Sequence, residues 1–185
     1  MLDTNRFEEF ISQYPIYEYR VLDAAEIQVR ERVRTICKQE CERYGTTWAC
    51  PPAVGTLEEC AARIHSYKSG IFFSSVAEVS DLMNMEEMLS FLAGLEANNN
   101  REWFHAHTQE RKEASEGEGF ETFTLSTESC DLCEHCAYLD GKPCRFPERM
   151  HPCLESHGVV ANELVEKHSM EYNLGGNTIL WFSLV

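Results

Sequence analysis

Apolar and polar positions along this chain switch between two periods, and the switches mark out its elements. Ile16 to Val21 alternates as a half-buried strand does. From Ala24 to about Arg43 the period lengthens to that of a helix, with Val29, Val33, Ile36, Cys37 and Cys41 on its buried side. Thr56 suits an N-cap, and Glu59 completes a capping box that places Cys60 one turn into a second helix. Gly70 to Ala77 reads as strand. Met83 to Ala97 follows as an amphipathic helix whose stripe of Met85, Met88, Leu89, Leu92 and Leu95 is core material rather than a cofactor site. Beyond Asn98–Asn100, Trp103 and Phe104 resume the apolar pattern toward Lys112, which predicts a continuing helix with a kink. Phe120 to Thr127 is a third strand, Val159 to Met170 a final helix, and Thr178 to Val185 a near-continuous apolar run of the kind found in buried strands.

The resulting order, βαβαβαβ, predicts an α/β fold. Residues 1–185 would form a single domain with a mixed or parallel sheet of about four strands, packed helices and two cysteine-rich metal-binding loops. One loop follows the first helix. The other follows the third strand, and loops at strand ends are where open α/β sheets place their ligands. A chain of 185 residues can build an ordinary core without metal staples, so any metal is expected to serve more than folding.

Nine cysteines change the picture from fold to chemistry. Cys130, Cys133 and Cys136 stand in two successive C-x2-C steps, and Cys144 arrives just downstream in Pro143-Cys144-Arg145-Phe146-Pro147. Three thiols on one tight loop can ligate three corners of an iron–sulfur cubane, with the fourth corner met from slightly farther along. Structural zinc prefers two separated C-x2-C knuckles, and Cys136 and Cys144 are too far apart to make the second, so zinc is the alternative. The ending also differs from the short C-x3-C-P of bacterial ferredoxins. Within this loop His135 is either a donor to cluster sulfur or an exposed spacer, and Arg145 either orients the loop through carbonyls or offsets cluster charge.

Cys37, Cys41, Cys50 and Cys60 form a second group, in which Cys37 and Cys41 are one helical turn apart, ~6 Å between Cβ atoms. Gly45 ends the helix and Cys50 precedes Pro51 and Pro52, which stiffen the loop. By spacing alone this group reads equally as ligands or as buried thiols, and Cys153 is left over as a structural residue. His105 and His107 are read as solvated or core-satisfied positions.

The chain carries 31 acidic and 16 basic residues, a formal charge of -15, which disfavours nucleic acid and anionic membrane as partners and favours a redox partner protein of complementary charge. Arg30, Arg32, Arg34, Lys38 and Arg43 crowd one segment, either as a solvated helix face or to offset cluster charge. No apolar run reaches the ~18 residues of a membrane span, and the N-terminus has neither a basic start nor an apolar core of a signal peptide. A cytoplasmic protein with reduced thiols is expected. Asn173-Leu174-Gly175-Gly176-Asn177 is too short for a phosphate-binding loop, so no nucleotide is predicted, and no Ser-His-Asp or paired-carboxylate set gives a catalytic residue.

Cys37 and Cys41 followed by Tyr44-Gly45, then Trp48-x-Cys50-Pro51-Pro52, Gly55 to Cys60, the Cys130–Cys136 loop and Pro143 to Pro147 together resemble the predicted metal-binding proteins grouped as DUF2284, a domain of unknown function. The resemblance runs from about Arg30 to the C-terminus, with Leu154-Glu155-Ser156-His157-Gly158 standing at an altered turn of the family. It implies metal binding and no defined reaction, and it strengthens Cys37, Cys41, Cys50 and Cys60 as a ligand set. The expected function is therefore an iron–sulfur protein with two 4Fe-4S clusters acting in electron transfer. A redox enzyme with a substrate-accessible cluster and a zinc-stabilised interaction module are the alternatives.

Overall fold

The computed structural model describes residues 8–9, 11–12, 14–78 and 122–185. Three strands form one sheet in the order β1, β2, β3: β1 is Ile16–Asp23, β2 is Ser69–Glu78 and β3 is Thr178–Leu184. Both pairings are antiparallel. The alternation in β2 sends Phe72 to one face and Ile71 and Phe73 to the other, and each face is covered. Phe72 stacks on Phe182 at 5.6 Å within a cluster that includes Leu22, Ile27, Leu125, Leu154 and Val159. Ile71, Phe73 and Val185 pack with Ile11, Tyr14, Ile16 and Tyr19 on the opposite side. Among the described residues three α-helices are named in this mixed α/β fold: α1 is Glu31–Glu40, α2 is Leu57–His65 and α3 is Ala161–Lys167.

The expected parallel or mixed sheet of four strands is thus corrected to an antiparallel one of three among the described residues. Apolar periodicity defines a strand but carries no direction, and here direction follows from where the connections close. Asp23 pairs with Ser69, and Ala24 N–H donates to Lys68 O at 3.3 Å, so residues 24–68 leave and return at adjacent strand ends as one long excursion. Of the expected third strand, Phe120 and Glu121 lie outside the described residues, and the described part forms two isolated bridges, Leu125 with Leu184 and Ser126 with Cys153. Its Leu125 still exchanges both main-chain hydrogen bonds with Leu184, at 2.8 and 2.9 Å, and so covers the end of the β3 edge. The helices expected over Met83–Ala97 and on toward Lys112, with His105 and His107, lie outside the described residues.

The helix expected from Ala24 to Arg43 is also divided. Asp23 caps a 3-10 turn at Ala24–Glu26, Ile27 to Arg30 run extended, and α1 begins at Glu31. Tertiary pairing outweighs the helical pattern there, because Val29 bridges to Val159 and Arg30 N–H donates to Gly158 O at 2.8 Å. The same bridge takes Val159 out of the final helix, which starts at Ala161. By contrast, α2 begins as expected, with Thr56 and Glu59 making the reciprocal capping box.

Gly158 is where these pairings meet. Its φ is +77°, and a Cβ there would lie 2.7 Å from Leu57 Cδ1 and 2.8 Å from Val29 Cγ1. Gly158→Ala is expected to cost about 2–3 kcal/mol through left-handed strain and crowding, read as a lower urea midpoint. Gly176→Ala, at φ +63° with nothing within 4 Å of the added carbon, should cost only about 1 kcal/mol. Equal losses would mean that Leu57 and Val29 yield freely.

Candidate metal centre

Cys37 leaves the last turn of α1 and Cys41 caps it, donating its N–H to Cys37 O at 3.3 Å. The chain then turns at Gly45, whose N–H donates to Pro51 O at 2.8 Å and closes the loop that carries Cys50. Cys50 is only 4% exposed. From the other end of the chain, Cys153 is set beside Ser126, with Ser126 N–H to Pro152 O at 2.8 Å and Leu154 N–H to Ser126 O at 3.0 Å. Cys37, Cys41, Cys50 and Cys153 line one cavity of about 410 Å³, with Ser129 and Glu155 on its wall.

Cys60 is placed elsewhere. It is fully buried in α2, its Sγ donating to Val54 O at 3.6 Å and accepting from Arg34 Nη2 at 3.4 Å. Arg34 also donates to Gly55 O, so the basic side chain ties α1 to the Pro51–Gly55 loop. Arg30 and Arg32 share Glu163 of α3, at 2.9 and 2.6 Å, which makes them cross-links between helices. Of the basic cluster, Arg43 reaches both cysteine cavities.

Desolvation raises the thiols of Cys37, Cys50 and, most strongly, Cys153. Negative charge on Cys41 and Cys50 pushes Cys37 further up, and Glu155 and Cys50 do the same to Cys153. The hydroxyls of Thr47 and Ser129 beside Cys50 favour its thiolate and partly offset burial. Several thiolates crowded at one cavity repel one another, and a cation among them reverses that sign.

A second cavity of about 90 Å³ is lined by Cys130, Cys133, Cys136 and Cys144. Cys136 precedes a 3-10 turn at Ala137–Asp140, Gly141 reverses the chain at φ 64°, and Lys142 N–H donates back to Ala137 O at 2.9 Å. That reversal brings Cys144 toward the three-cysteine loop. Arg145 Nη1 donates to His135 O at 2.7 Å, the carbonyl-orienting role of the two expected for it. His135 itself is exposed and meets Asp140 at 3.1 Å. Trp48 joins the two loops: its Nε1–H donates to Lys142 O at 3.0 Å, and its ring sits edge-on to Tyr138 at 5.1 Å. The cavities adjoin, since Arg43 borders both and the consecutive residues Ser129 and Cys130 line the first and the second.

A residue with no spacing signal also bears on the site. His157 is fully buried, and because a guanidinium only donates, the 3.3 Å contact with Arg63 Nη1 makes its Nε2 the acceptor. Nδ1–H then donates to Ser156 Oγ at 3.1 Å, Ser156 Oγ donates to Cys153 O at 2.7 Å, and Ser156 N–H donates to Cys153 Sγ at 3.3 Å. Burial, with Arg63 and Arg34 nearby, lowers His157 from 6.5 to about 3. Its place in the turn after Cys153 was the one hint the sequence offered.

Among the described residues no three His, Cys, Asp or Glu side chains are already gathered into a coordinating group. The donors nonetheless fit a thiophilic metal or cluster, because each cavity is lined by four free cysteines and soft sulfur selects zinc, copper(I) or iron–sulfur centres. Eight of the nine cysteines face two adjoining cavities of a mixed α/β fold, which defines a cysteine-rich protein of metal-binding type. The chain belongs to the family described as predicted metal-binding protein, DUF2284, whose profile matches residues 20–185. No curated protein and no solved structure matches it. Among the described residues no helix is long and apolar enough to cross a membrane.

Trp181 lines the first cavity and Trp48 the second, so each reports on one of them. Metal or cluster uptake is expected to quench both. Trp48→Phe should remove the second cavity's share of the quench, Trp181→Phe the first's, and a quench unchanged in both variants would argue against filling of the cavities. His157 gives a pH prediction whose sign follows from its lowered value. Its neutral form stabilises the fold fully above pH 6.5, and the stability is lost as pH falls from there toward 3, by at most about 1.4 kcal/mol per pH unit. Glu155, which burial raises to about 7, gains stability over the same range as pH falls, so the His157 loss is read as a difference: between pH 6.5 and about pH 5 the urea midpoint of His157→Asn should fall less, or rise more, than that of the natural chain.

Proposed function

We propose that this protein holds two iron–sulfur clusters, each of the 4Fe-4S type, and passes electrons between them and a redox partner protein. One observation carries the reading: two cavities, each lined by four cysteines, share the wall formed by Arg43 and Ser129–Cys130. A cubane bound by thiolates supplies a one-electron couple whose potential responds to hydrogen bonds and solvent exposure. Cys130, Cys133, Cys136 and Cys144 hold the centre at the second cavity, and Cys37, Cys41 and Cys50 contribute to the one at the first. Leu139 and Phe146, 53% and 40% exposed, rim the second cavity and suit it to meet a partner. At the first cavity Cys50 is buried while Cys41 is exposed. With a formal charge of -15, the partner surface is basic.

The larger first cavity favours a second reading, a redox enzyme. At about 410 Å³, with Arg43, Asn162 and Tyr172 also on its wall, it has room for a small polar substrate beside the metal. Anaerobic purification with iron, sulfide and zinc assays separates the readings from a zinc module. About eight irons per chain and visible absorption that bleaches on reduction are expected, whereas tight zinc without iron would sink the iron–sulfur proposal. Cys133→Ser should lose about half the iron if the centres load independently. Full retention of iron in that variant would remove Cys133 from the ligand set.

A further inference from the structure

We infer that the centre at the first cavity is completed by Cys153, so that its four thiols are Cys37, Cys41, Cys50 and Cys153, and that Cys60 is a core residue. The inference rests on the reading of this chain as a metal protein but not on the identity of the metal. Cys153 shares the cavity with the other three, while Cys60 lines neither cysteine cavity. Cys60 is 0% exposed and its Sγ is engaged on both sides, by Val54 O and by Arg34 Nη2. Ligation there would remove the S–H that Val54 O accepts and would need room for a metal around a residue that is 0% exposed.

The setting of Cys153 is the opposite. Its backbone is fixed by the bridge to Ser126, and its Sγ already accepts the Ser156 N–H at 3.3 Å, a bond that strengthens when the sulfur is a thiolate. Ser156 is held in turn by His157, and His157 by Arg63. This supporting chain is what a metal ligand needs around it. The assignment also settles the odd count, since nine cysteines divide into two sets of four with one left in the core.

The test compares Cys153→Ser and Cys60→Ala with the natural chain, all purified anaerobically and assayed for iron, sulfide and zinc. Cys153→Ser is expected to keep about half the metal and to lose the Trp181 quench while keeping that of Trp48. Cys60→Ala should keep all of the metal and show only a lower urea midpoint. The reverse result, full metal in Cys153→Ser and half in Cys60→Ala, overturns the inference. If the natural chain carries zinc instead of iron, the iron–sulfur reading fails while the same comparison on zinc still decides the ligand set, and a natural chain without any metal refutes both. Thiol alkylation of the loaded natural chain, mapped by mass spectrometry, covers the case of a variant that does not fold. Cys153 should be protected until a chelator strips the metal, and labelling of Cys153 in the loaded protein as fast as in urea would overturn its assignment.

Discussion

Two main-chain hydrogen bonds, Ser126 N–H to Pro152 O and Leu154 N–H to Ser126 O, fix the strip of chain on which both cysteine cavities depend. Upstream, Leu125 is bonded to Leu184 at the end of β3, so the strip is an extension of the sheet and inherits its rigidity. Downstream it delivers Ser129 to the first cavity and Cys130 to the second. Alongside, it sets Cys153. A short length of extended backbone thereby registers two sites whose cysteines come from opposite ends of the chain.

The remaining supports are arranged around that strip. Trp48 spans from the Cys50 loop to Lys142 and Tyr138, so the position of one cavity constrains the other. Gly158 allows Val29 and Leu57 to close on the turn after Cys153, and neither a side chain nor an ordinary φ would fit there. The arginines are spent on different tasks: Arg30 and Arg32 on Glu163, Arg34 on Cys60 and Gly55, Arg63 on His157, leaving Arg43 at the shared wall. A basic segment in the sequence is thus mostly cross-linking between elements.

Electrostatics explains why the cavities suit a cation. Buried thiols resist ionisation, and thiolates near one another resist it more, so the metal-free arrangement holds protons that a metal displaces. His157 adds a neutral, fully buried imidazole whose hydrogen bonds pass through Ser156 to the Cys153 sulfur. It orients without adding charge to a site already crowded with potential anions.

Local rules made much of this protein legible from its residues. Thr56 and Glu59 capped α2 as their spacing requires, the apolar run around Phe72 formed the expected strand, and Cys130, Cys133, Cys136 and Cys144 came to one cavity because their loop is short. Strand direction was not legible, because periodicity is the same in parallel and antiparallel sheets and only the closure of residues 24–68 at Asp23 and Ser69 selects one. Nor was the division of the first helix, where Val29 found a partner in Val159, far along the chain. The choice between Cys60 and Cys153 at the first cavity is of the same kind. Sequence spacing determined which thiols share a loop, but which thiols share a cavity depends on long-range backbone pairing, and only the tertiary structure brings Cys153 beside Ser126 and turns Cys60 into the core.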